Sequence, residues 1–573
     1  MVIVLSGSLF CPSLVFAAAP TAQELQQIQR EQNKILQDEQ LRREDTLKDK
    51  DMRLRPPGTV DLDVKKLEPE AGESKQCFVI NTIILEGSYS LSDEERQALT
   101  QPFIGKCLGL VEIRELMRVI TNFYIDKGYV TTRAYIPQQD MSTGILKFLI
   151  IEGITSDLEL EQKEVRTNLA TAFPGLKGKV LNIRDIEQGL DQINRLQSNN
   201  AVMELIPGDQ PGRTNILIKN QPASTVSSTF DIDNYGSEAT GDTRGTVTVG
   251  MDNPLGLNDY WFVNLSRNTD ANNNHLSQSS LLNFDIPYGY LNFTGTYSES
   301  AYRTLIKTPI QTLHSNGGTS TPSLGLQYVL NRSQKDKVTL TTKLTHTDTK
   351  NYIEGSLLTS SSRKQTVLNV DLTKVFAAID GSWTLSGGFS NGLDWFGAQD
   401  LANAGQGTIP RINFIKLNFS ASYTHPFKWM DSHASWLSSF QYQHTTDFLY
   451  GSQQIAIGGL YTVRGFDGTS IAGDRGMYWR NDISVFLPSL TDPATSKLIG
   501  KLQAYFALDA GYIDDREGQL GGSLIGAAIG IRNISGQAKF DLALGMPVSY
   551  SKHISNSAAV EDYAVYLKMT LSI

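Results

Sequence analysis

The C-terminal end of the chain alternates apolar and polar residues one by one, and this pattern constrains the fold most strongly. The apolar members are Tyr563, Val565, Leu567, Met569, Leu571 and Ile573. A period of two places them all on one face of a β-strand. Similar alternation recurs at 261–265, 282–286 and 291–297. The region 222–573 is therefore predicted to be built of β-strands.

The connections between these strands favour a transmembrane β-barrel. Proline-containing turns are predicted at 253–256, 286–289, 425–426 and 487–488, and long polar connections at 267–279 and 305–323. Short turns at one end and long loops at the other are typical of outer-membrane barrels. At roughly 20–24 residues for a strand with its connection, the region predicts an even number of strands near 16. A soluble β-sandwich or adhesin repeat, which also alternates, is the alternative.

The N-terminus has the features of an export signal. Residues 1–19 are apolar and end in three alanines, as a signal peptide with its small-residue cleavage site does. A short buried helix is the alternative. Cleavage would remove Cys11 and leave Cys77 and Cys107, and an even pair in an exported chain predicts one disulfide. Two unpaired buried thiols are the other interpretation.

A polar helix is predicted over residues 20–50. This stretch is rich in Gln, Glu, Leu, Lys and Arg, and contains no glycine or proline after Pro20. Its apolar stripe is thin and includes Leu25, Ile28, Ile35 and Leu36. A helix so polar must be solvated on nearly all sides. Residues 51–76, with Pro56-Pro57-Gly58, are predicted to be a flexible linker.

Two similar α+β segments, 77–153 and 154–221, follow the linker. The first is predicted to run β-α-α-β-β, with a capping box formed by Ser92 and Glu95. The second repeats a strand, a helix and two strands. Ile-Pro occurs in both copies, with the prolines at 137 and 207. The repetition predicts tandem small domains, each with a sheet packed on helices.

Signals for catalysis, metals and nucleic acid are poor. The net charge of −9 argues against binding to nucleic acid, and the seven histidines show no metal-ligand spacing. One G-x-S-x-G match, at 388–392, lies in a strand-and-loop stretch rather than between a strand and a helix. No phosphate-binding GxxxxGK[ST] is present. We therefore expect no enzyme, cofactor or metal site.

The stretch "GLYTVRGFDG" carries the candidate functional residue, Arg464. An arginine on the lipid face of a barrel costs about 2–4 kcal/mol near the midplane, so Arg464 should face the lumen. A partly desolvated arginine needs an acidic partner, and Asp509, followed by Gly511, is the candidate in a later strand. A solvated arginine in a glycine-rich surface loop is the alternative.

Four motifs together resemble a known family. They are Val463-Arg464-Gly465-Phe466, Asp509-Ala510-Gly511, "GDRGMYWRND" at 473–482 and "GYVTTRAYIPQQD" at 128–140. The chain resembles, over essentially its whole length, the two-partner secretion transporters (TpsB family) of the Omp85 superfamily. These include haemolysin, filamentous-haemagglutinin and contact-dependent-inhibition exporters. The last residue, Ile573, departs from the phenylalanine that ends many outer-membrane proteins.

The resemblance implies a mostly-β fold, with a 16-stranded transmembrane β-barrel preceded by two α+β POTRA domains and an N-terminal plug helix. The implied order is signal peptide 1–19, plug helix 20–50, linker 51–76, POTRA domains 77–153 and 154–221, and barrel 222–573. It also implies a lumenal loop around 455–472 that pairs Arg464 with Asp509.

The implied function is export of a large unfolded exoprotein without nucleotide. The POTRA domains, in the periplasm of a Gram-negative bacterium, would bind the partner's N-terminal secretion domain. The barrel would be inserted by the barrel-assembly machinery and surrounded by outer-membrane lipid. A barrel-assembly insertase, a passive porin and a secreted β-adhesin are the alternatives.

Overall fold

The computed structural model describes residues 22–53, 67, 76–162, 166–308, 311–333, 335–400, 404–488, 498–552, 554 and 560–573. The predicted signal peptide, 1–19, and most of the predicted linker lie outside the described residues. Among the helices that are described, none is long and apolar enough to cross a membrane.

The C-terminal region is a closed barrel of sixteen antiparallel strands, which confirms the predicted fold class. The barrel strands are β9 (Val226–Asp233), β10 (Arg244–Asp252), β11 (Tyr260–Asn268), β12 (Leu276–Tyr288), β13 (Leu291–Lys307), β14 (Thr312–Arg332), β15 (Asp336–Ile353), β17 (Arg363–Ala378), β18 (Gly381–Leu393), β19 (Ile415–Trp429), β20 (Ser432–Thr445), β23 (Gly476–Phe486), β24 (Leu502–Ile513), β25 (Gly522–Asn533), β26 (Ala538–Tyr550) and β27 (Ala564–Ser572). A two-residue strand, β16 (Ser356–Leu357), extends the β15 hairpin.

The ring closes between its first and last strands. Strand β27 pairs with β9 in a register that runs from Lys568 opposite Asp233 to Ser572 opposite Thr229. Along β27 the apolar side chains of Val565 and Met569 are exposed on the outer face, while Tyr566 is buried on the inner face. The alternation seen in the sequence therefore separates a lipid-facing surface from the lumen.

Several predicted connections are wrong in detail. The polar stretch 305–323, predicted as a long loop, belongs to β13 and β14, which meet in a short turn. Polar residues can form strands here because the barrel wall extends beyond the apolar band. Pro287 and Pro426, predicted in turns, lie inside β12 and β19. Each lies beyond the last residue that its strand pairs on one side, Asp285 and Thr424, so the missing N–H interrupts no pairing there.

The first α+β unit has more strands than the predicted β-α-α-β-β order. Its elements are β1 (Cys77–Ile80), β2 (Thr82–Glu86), α2 (Asp93–Thr100), β3 (Lys106–Gly109), α3 (Leu110–Asp126), β4 (Arg133–Tyr135) and β5 (Ile145–Ile151). The sheet order is β2-β5-β4, while β1 and β3 form a separate pair. The predicted order missed β3 because its four residues are too short to show a pattern. A disulfide between Cys77 and Cys107 joins this pair.

The second α+β unit follows the predicted pattern with one added turn of helix. Its elements are β6 (Ile154–Leu160), α4 (Leu169–Ala172), α5 (Ile183–Asn194), β7 (Ala201–Pro207) and β8 (Arg213–Asn220). The sheet order is β6-β8-β7, and its core contains Ile186, Leu190 and Ile216, which are fully buried.

The capping box of Ser92 and Glu95 in α2 of the first unit is present as predicted.

Candidate functional site: the barrel lumen

A helix of 32 residues, α1 (Ala22–Arg53), occupies the barrel lumen. Near its start, Glu24 accepts a hydrogen bond of 2.6 Å from Thr308, which lies in the turn after β13. In its middle, Glu39 accepts one of 2.8 Å from Ser277 of β12, and nearer its end Leu47 packs on a cluster that includes Tyr260 at the start of β11. Because the second α+β unit leads directly into β9, turns such as the one after β13 lie at the opposite, extracellular end. The helix therefore runs from the extracellular end of the barrel towards the periplasmic end.

In the middle of α1, both ends of one glutamine side-chain amide are hydrogen-bonded to the barrel. Gln32, fully buried, donates from Nε2 to the Ser315 hydroxyl at 3.0 Å, and its Oε1 accepts from the Ser361 hydroxyl at 2.7 Å. The two serine hydroxyls take the place of the water molecules that would otherwise pair with this buried amide. The polar composition of this helix therefore matches a polar barrel wall.

The thin apolar stripe of α1 also contacts the wall. Ile28 is fully buried against Ile306, Leu313 and Ile353, and Ile35 is buried as well. Leu36 is half-buried, while the side chain of Leu25 lies outside the described residues. Ile28 and Ile35 thus add apolar contacts to a helix that is also held by hydrogen bonds.

The connection between β20 and β23 folds back into the lumen around a small hairpin. The hairpin strands are β21 (Ile455–Ile457) and β22 (Ile471–Gly473). Val463 and Phe466 of the connecting loop are buried with Ile457, Ile513 and Leu524. An apolar cluster inside the barrel therefore holds the loop on either side of Arg464.

Arg464 makes a two-pronged contact with Asp509 of β24. Nε lies 2.6 Å from Asp509 Oδ2, and an Nη donates to Oδ1 at 2.7 Å. The other Nη lies 2.6 Å from Oδ1 of Asp482 on the adjacent strand β23. Both Arg464 and Asp509 are almost completely buried, at 4% and 0% exposed. Planar guanidinium and carboxylate groups match in this arrangement, so the contact fixes orientation as well as charge.

Asp509 holds the loop backbone too. Its Oδ2 accepts a hydrogen bond of 3.1 Å from the Arg464 main-chain N–H, and the next N–H, of Gly465, donates to the Tyr566 hydroxyl at 3.1 Å. Gly465 has φ +94°, a conformation that glycine adopts without strain. Asp509 was predicted as the partner of Arg464. Asp482, the last residue of the 473–482 motif, and Tyr566 were not, because the sequence alone does not show which strands lie beside the loop.

Three glycines on successive strands make room for this loop. A Cβ on Gly526 would lie 1.8 Å from the Arg464 carbonyl oxygen, and one on Gly545 would lie 2.8 Å from the Gly465 nitrogen. A Cβ on Gly511 would lie 3.0 Å from the Val463 side chain. Gly511, two residues after its strand's Asp509, thus leaves room for the close approach of the loop, while Gly526 and Gly545 gave no separate signal in the sequence.

The helix and the loop touch one another. Lys34 of α1 donates a hydrogen bond to the carbonyl oxygen of Gly468, next to the Arg464 turn. Gln37 donates to the Gly451 carbonyl oxygen at 3.0 Å, and a Cβ on Gly451 would lie 3.4 Å from that of Asn33. Movement of α1 would therefore alter contacts of the lumenal loop.

The second α+β unit is bound to the periplasmic turns of the barrel. Gln188 and Gln192 of α5 both donate to the Gly289 carbonyl oxygen, at 3.0 and 2.8 Å. Arg195 lies 2.6 Å from Asp285 of β12. Arg332, at the end of β14, pairs with Asp191 of α5. These contacts fix the unit against the barrel mouth.

Metal-binding geometry is missing from the described part of the chain, where no group of three or more His, Cys, Asp or Glu side chains could hold an ion.

A β-barrel with a lumenal helix, an inward-folded loop and two periplasmic α+β domains defines the class of outer-membrane transporters that carry POTRA domains. Family models match three parts of the chain. They describe a POTRA domain of the ShlB type at 78–153, a POTRA domain at 150–207, and the haemolysin secretion/activation protein ShlB/FhaC/HecB at 212–533. The chain belongs to this ShlB/FhaC/HecB family of two-partner secretion transporters. Its barrel lies in the Gram-negative outer membrane, with the POTRA domains in the periplasm.

Individual relatives agree with this assignment. The chain is 35% identical over 486 residues to the outer membrane transporter CdiB of Escherichia coli, covering 84% of this chain and 81% of that one. It is 30% identical to the hemolysin transporter protein ShlB of Serratia marcescens, covering 73% of each. The solved structure of CdiB from Escherichia coli superimposes with a TM-score of 0.82 at 32% identity, covering 97% of this chain and 100% of that one.

Proposed function

We propose that the chain exports one large unfolded exoprotein through the barrel lumen, as a transporter rather than an enzyme. The observation that carries this proposal is α1, a polar helix that fills the lumen and is held there by hydrogen bonds. In the described structure the pore is closed by α1, which is a separate element and not part of the barrel wall. Export therefore requires α1 to leave.

The contacts of α1 suit a helix that enters and leaves. Between Glu24 and Glu39, hydrogen bonds join it to the wall, and among its described side chains Ile28 and Leu47 pack on two separate apolar clusters. Hydrogen bonds that are exchanged for bonds to water contribute only about 0.5–1.5 kcal/mol each, so a binding event of moderate affinity can offset several of them. A helix with a broad apolar face would be far harder to release.

The POTRA domains supply the binding event in this proposal. Their sheets have open edges, β2 and β4 in one domain and β6 and β7 in the other. An extended segment of the exoprotein adds to such an edge through main-chain hydrogen bonds, while side-chain pockets give selectivity. Binding of the partner's N-terminal secretion domain then favours the state from which α1 has gone. No step uses a nucleotide.

A reversible disulfide between α1 and the wall tests this proposal. Asn33→Cys with Gly451→Cys fits the geometry, since the two Cβ atoms would lie 3.4 Å apart. We expect the oxidised variant to keep a low conductance in planar bilayers and to stop secreting the partner exoprotein. Reduction should allow the conductance to rise and should restore secretion.

The two single-cysteine variants and the unaltered chain, each with and without reductant, are the controls. The unaltered chain is needed because reductant also opens the Cys77–Cys107 disulfide. Secretion at the normal rate by a fully crosslinked protein would show that α1 does not need to leave the lumen.

A further inference from the structure

One residue of the segment between α1 and the first POTRA domain is bound to the outer side of helix α3. The main-chain N–H of Leu67 donates to Asn122 Oδ1 at 2.9 Å, and the Leu67 carbonyl oxygen accepts from Asn122 Nδ2 at 3.1 Å. A single side-chain amide thus pairs with both backbone groups of one residue. This contact joins positions that are 55 residues apart.

The contact recognises backbone rather than side chain. An asparagine amide carries one acceptor and a two-proton donor, so it can pair with a peptide as another peptide would. The Leu67 side chain is 48% exposed and contributes little to the contact. Asn122 therefore holds the backbone at this position whatever side chain the residue carries.

A second side chain completes the site. Arg118, one turn before Asn122, directs an Nη to the Leu67 carbonyl oxygen at 3.4 Å. Glu115 holds the same guanidinium through Nε at 2.7 Å, and this hydrogen bond lowers the pKa of Glu115 below its ordinary value. The three residues Glu115, Arg118 and Asn122 form what we call the linker clip.

The clip divides the tether of α1 into two unequal parts. From Arg53, the end of α1, to Leu67 there are 14 residues (67 − 53), and from Arg53 to Cys77, the first strand residue, there are 24 (77 − 53). At ~3.5 Å per residue these reach at most roughly 50 and 85 Å. Helix α1 is itself about 48 Å long at 1.5 Å per residue. With the clip closed, the maximum reach of the tether is thus about equal to the length of α1.

We propose that the linker clip on α3 is a regulatory site that holds the backbone at Leu67 and keeps α1 on a short tether near the pore. This inference rests on the proposed release of α1 from the lumen. With the clip closed, Arg53 stays within roughly 50 Å of Leu67, whatever path the chain between them takes. Opening the clip leaves Cys77 as the next fixed point, at up to roughly 85 Å, and so lets α1 move farther from the pore.

A spin label on the linker tests whether the clip holds it. Leu67→Cys provides the attachment point in the full chain, since Cys77 and Cys107 are joined in a disulfide. We expect a slow label in the parent and a fast label after Asn122→Asp, which turns a donor at the Leu67 carbonyl into a charged acceptor. The bound-to-free ratio should fall roughly five- to tenfold, as for two part-exposed hydrogen bonds.

Two further variants control for charge and for folding. Gln97→Glu makes the same amide-to-acid change on exposed α2 of the same domain and should leave the label slow. Asn122→Ala removes both hydrogen bonds without adding charge and should free the label as Asn122→Asp does. A fast label in the parent, or a slow one in both Asn122 variants, would overturn the clip.

Channel recordings on the same proteins test the link to α1. The open probability of Asn122→Asp in planar bilayers should be higher than that of the parent and of Gln97→Glu, because α1 can then move farther from the pore. A freed label with unchanged opening would overturn the regulatory role. Failure of the proposed function would look different, because the oxidised Asn33→Cys, Gly451→Cys protein would then still secrete.

Discussion

At the residue scale, the Arg464 contact is a buried ion pair whose members depend on one another. Arg464 and Asp509 have lost nearly all contact with solvent, and Asp482 adds a second carboxylate. Removing one member of a buried pair costs about 3–5 kcal/mol, because the other charge is left without compensation. A pair at the extracellular end whose arginine is about half exposed, Arg411 with Asp447, contributes only about 0–1 kcal/mol.

This difference predicts the effect of two matched substitutions. Arg464→Ala should detach the lumenal loop and greatly reduce secretion, while the barrel stays inserted and heat-modifiable on gels. Arg411→Ala, which breaks an Arg–Asp pair whose arginine is about half exposed, should secrete close to normally. Loop attachment is measured by limited proteolysis of intact cells. Equal secretion by the two variants would contradict the role of the buried pair.

Part of this site could be predicted from the sequence and part could not. An arginine in a β-rich membrane region must find an inward-facing carboxylate, so Asp509 was a reasonable candidate. Asp482 escaped notice because alternation alone does not show which strands are neighbours. Only the register, which places Asp482 opposite Ala507 and Asp509 opposite Arg480, brings both carboxylates to one arginine.

At the element scale, the wall beneath the loop is shaped by glycines in β24, β25 and β26. Gly511, Gly526 and Gly545 leave a shallow groove in which the Arg464 turn rests. Alternation predicted the strands because it reflects burial on one face. It could not predict the groove, since a glycine in a strand fits the pattern on either face.

A pair of glycine substitutions tests the groove. Gly526→Ala puts a methyl group 1.8 Å from the Arg464 carbonyl oxygen, so the loop must shift, and secretion should fall several-fold. Gly387→Ala in β18 is the control, because nothing lies within 4 Å of the added Cβ. Both positions lack a positive φ, so the difference is steric. Proteolysis of the loop should increase only in Gly526→Ala; the same cleavage pattern in both variants would contradict the docking.

At the scale of the whole molecule, the periplasmic domain, the barrel and α1 meet at the pore mouth. Leu196 of the second POTRA domain is buried with Tyr260, Phe262 and Leu281 of the barrel, and Leu47 of α1 packs against the same cluster. No local pattern could have predicted this meeting, since it joins residues from three distant parts of the chain. Movement of the second POTRA domain would therefore alter the contacts of Leu47, near the end of α1.

The strongest polar link in this junction is Arg332. Its buried side chain pairs with Asp191, contacts Gln188 Oε1 at 3.1 Å and lies 3.4 Å from Glu187 Oε2. Arg332→Ala should weaken the docking of the POTRA domain by about 3–5 kcal/mol, because buried Asp191 loses its ion pair with Arg332, while Glu187 keeps Arg184 at 2.5 Å. Secretion should fall while the barrel remains heat-modifiable.

Lys335 in the following turn supplies the matched control. It is exposed, and Lys335→Ala removes the same charge from the same end of the barrel without touching α5 in any described contact. Amide hydrogen exchange of α5 in the full chain is the measurement, since exchange reports local opening. Faster exchange in Arg332→Ala alone would show that this arginine holds the domain to the barrel. Equal protection in the two variants would mean that the remaining contacts, chiefly Arg195 with Asp285, suffice to fix the domain.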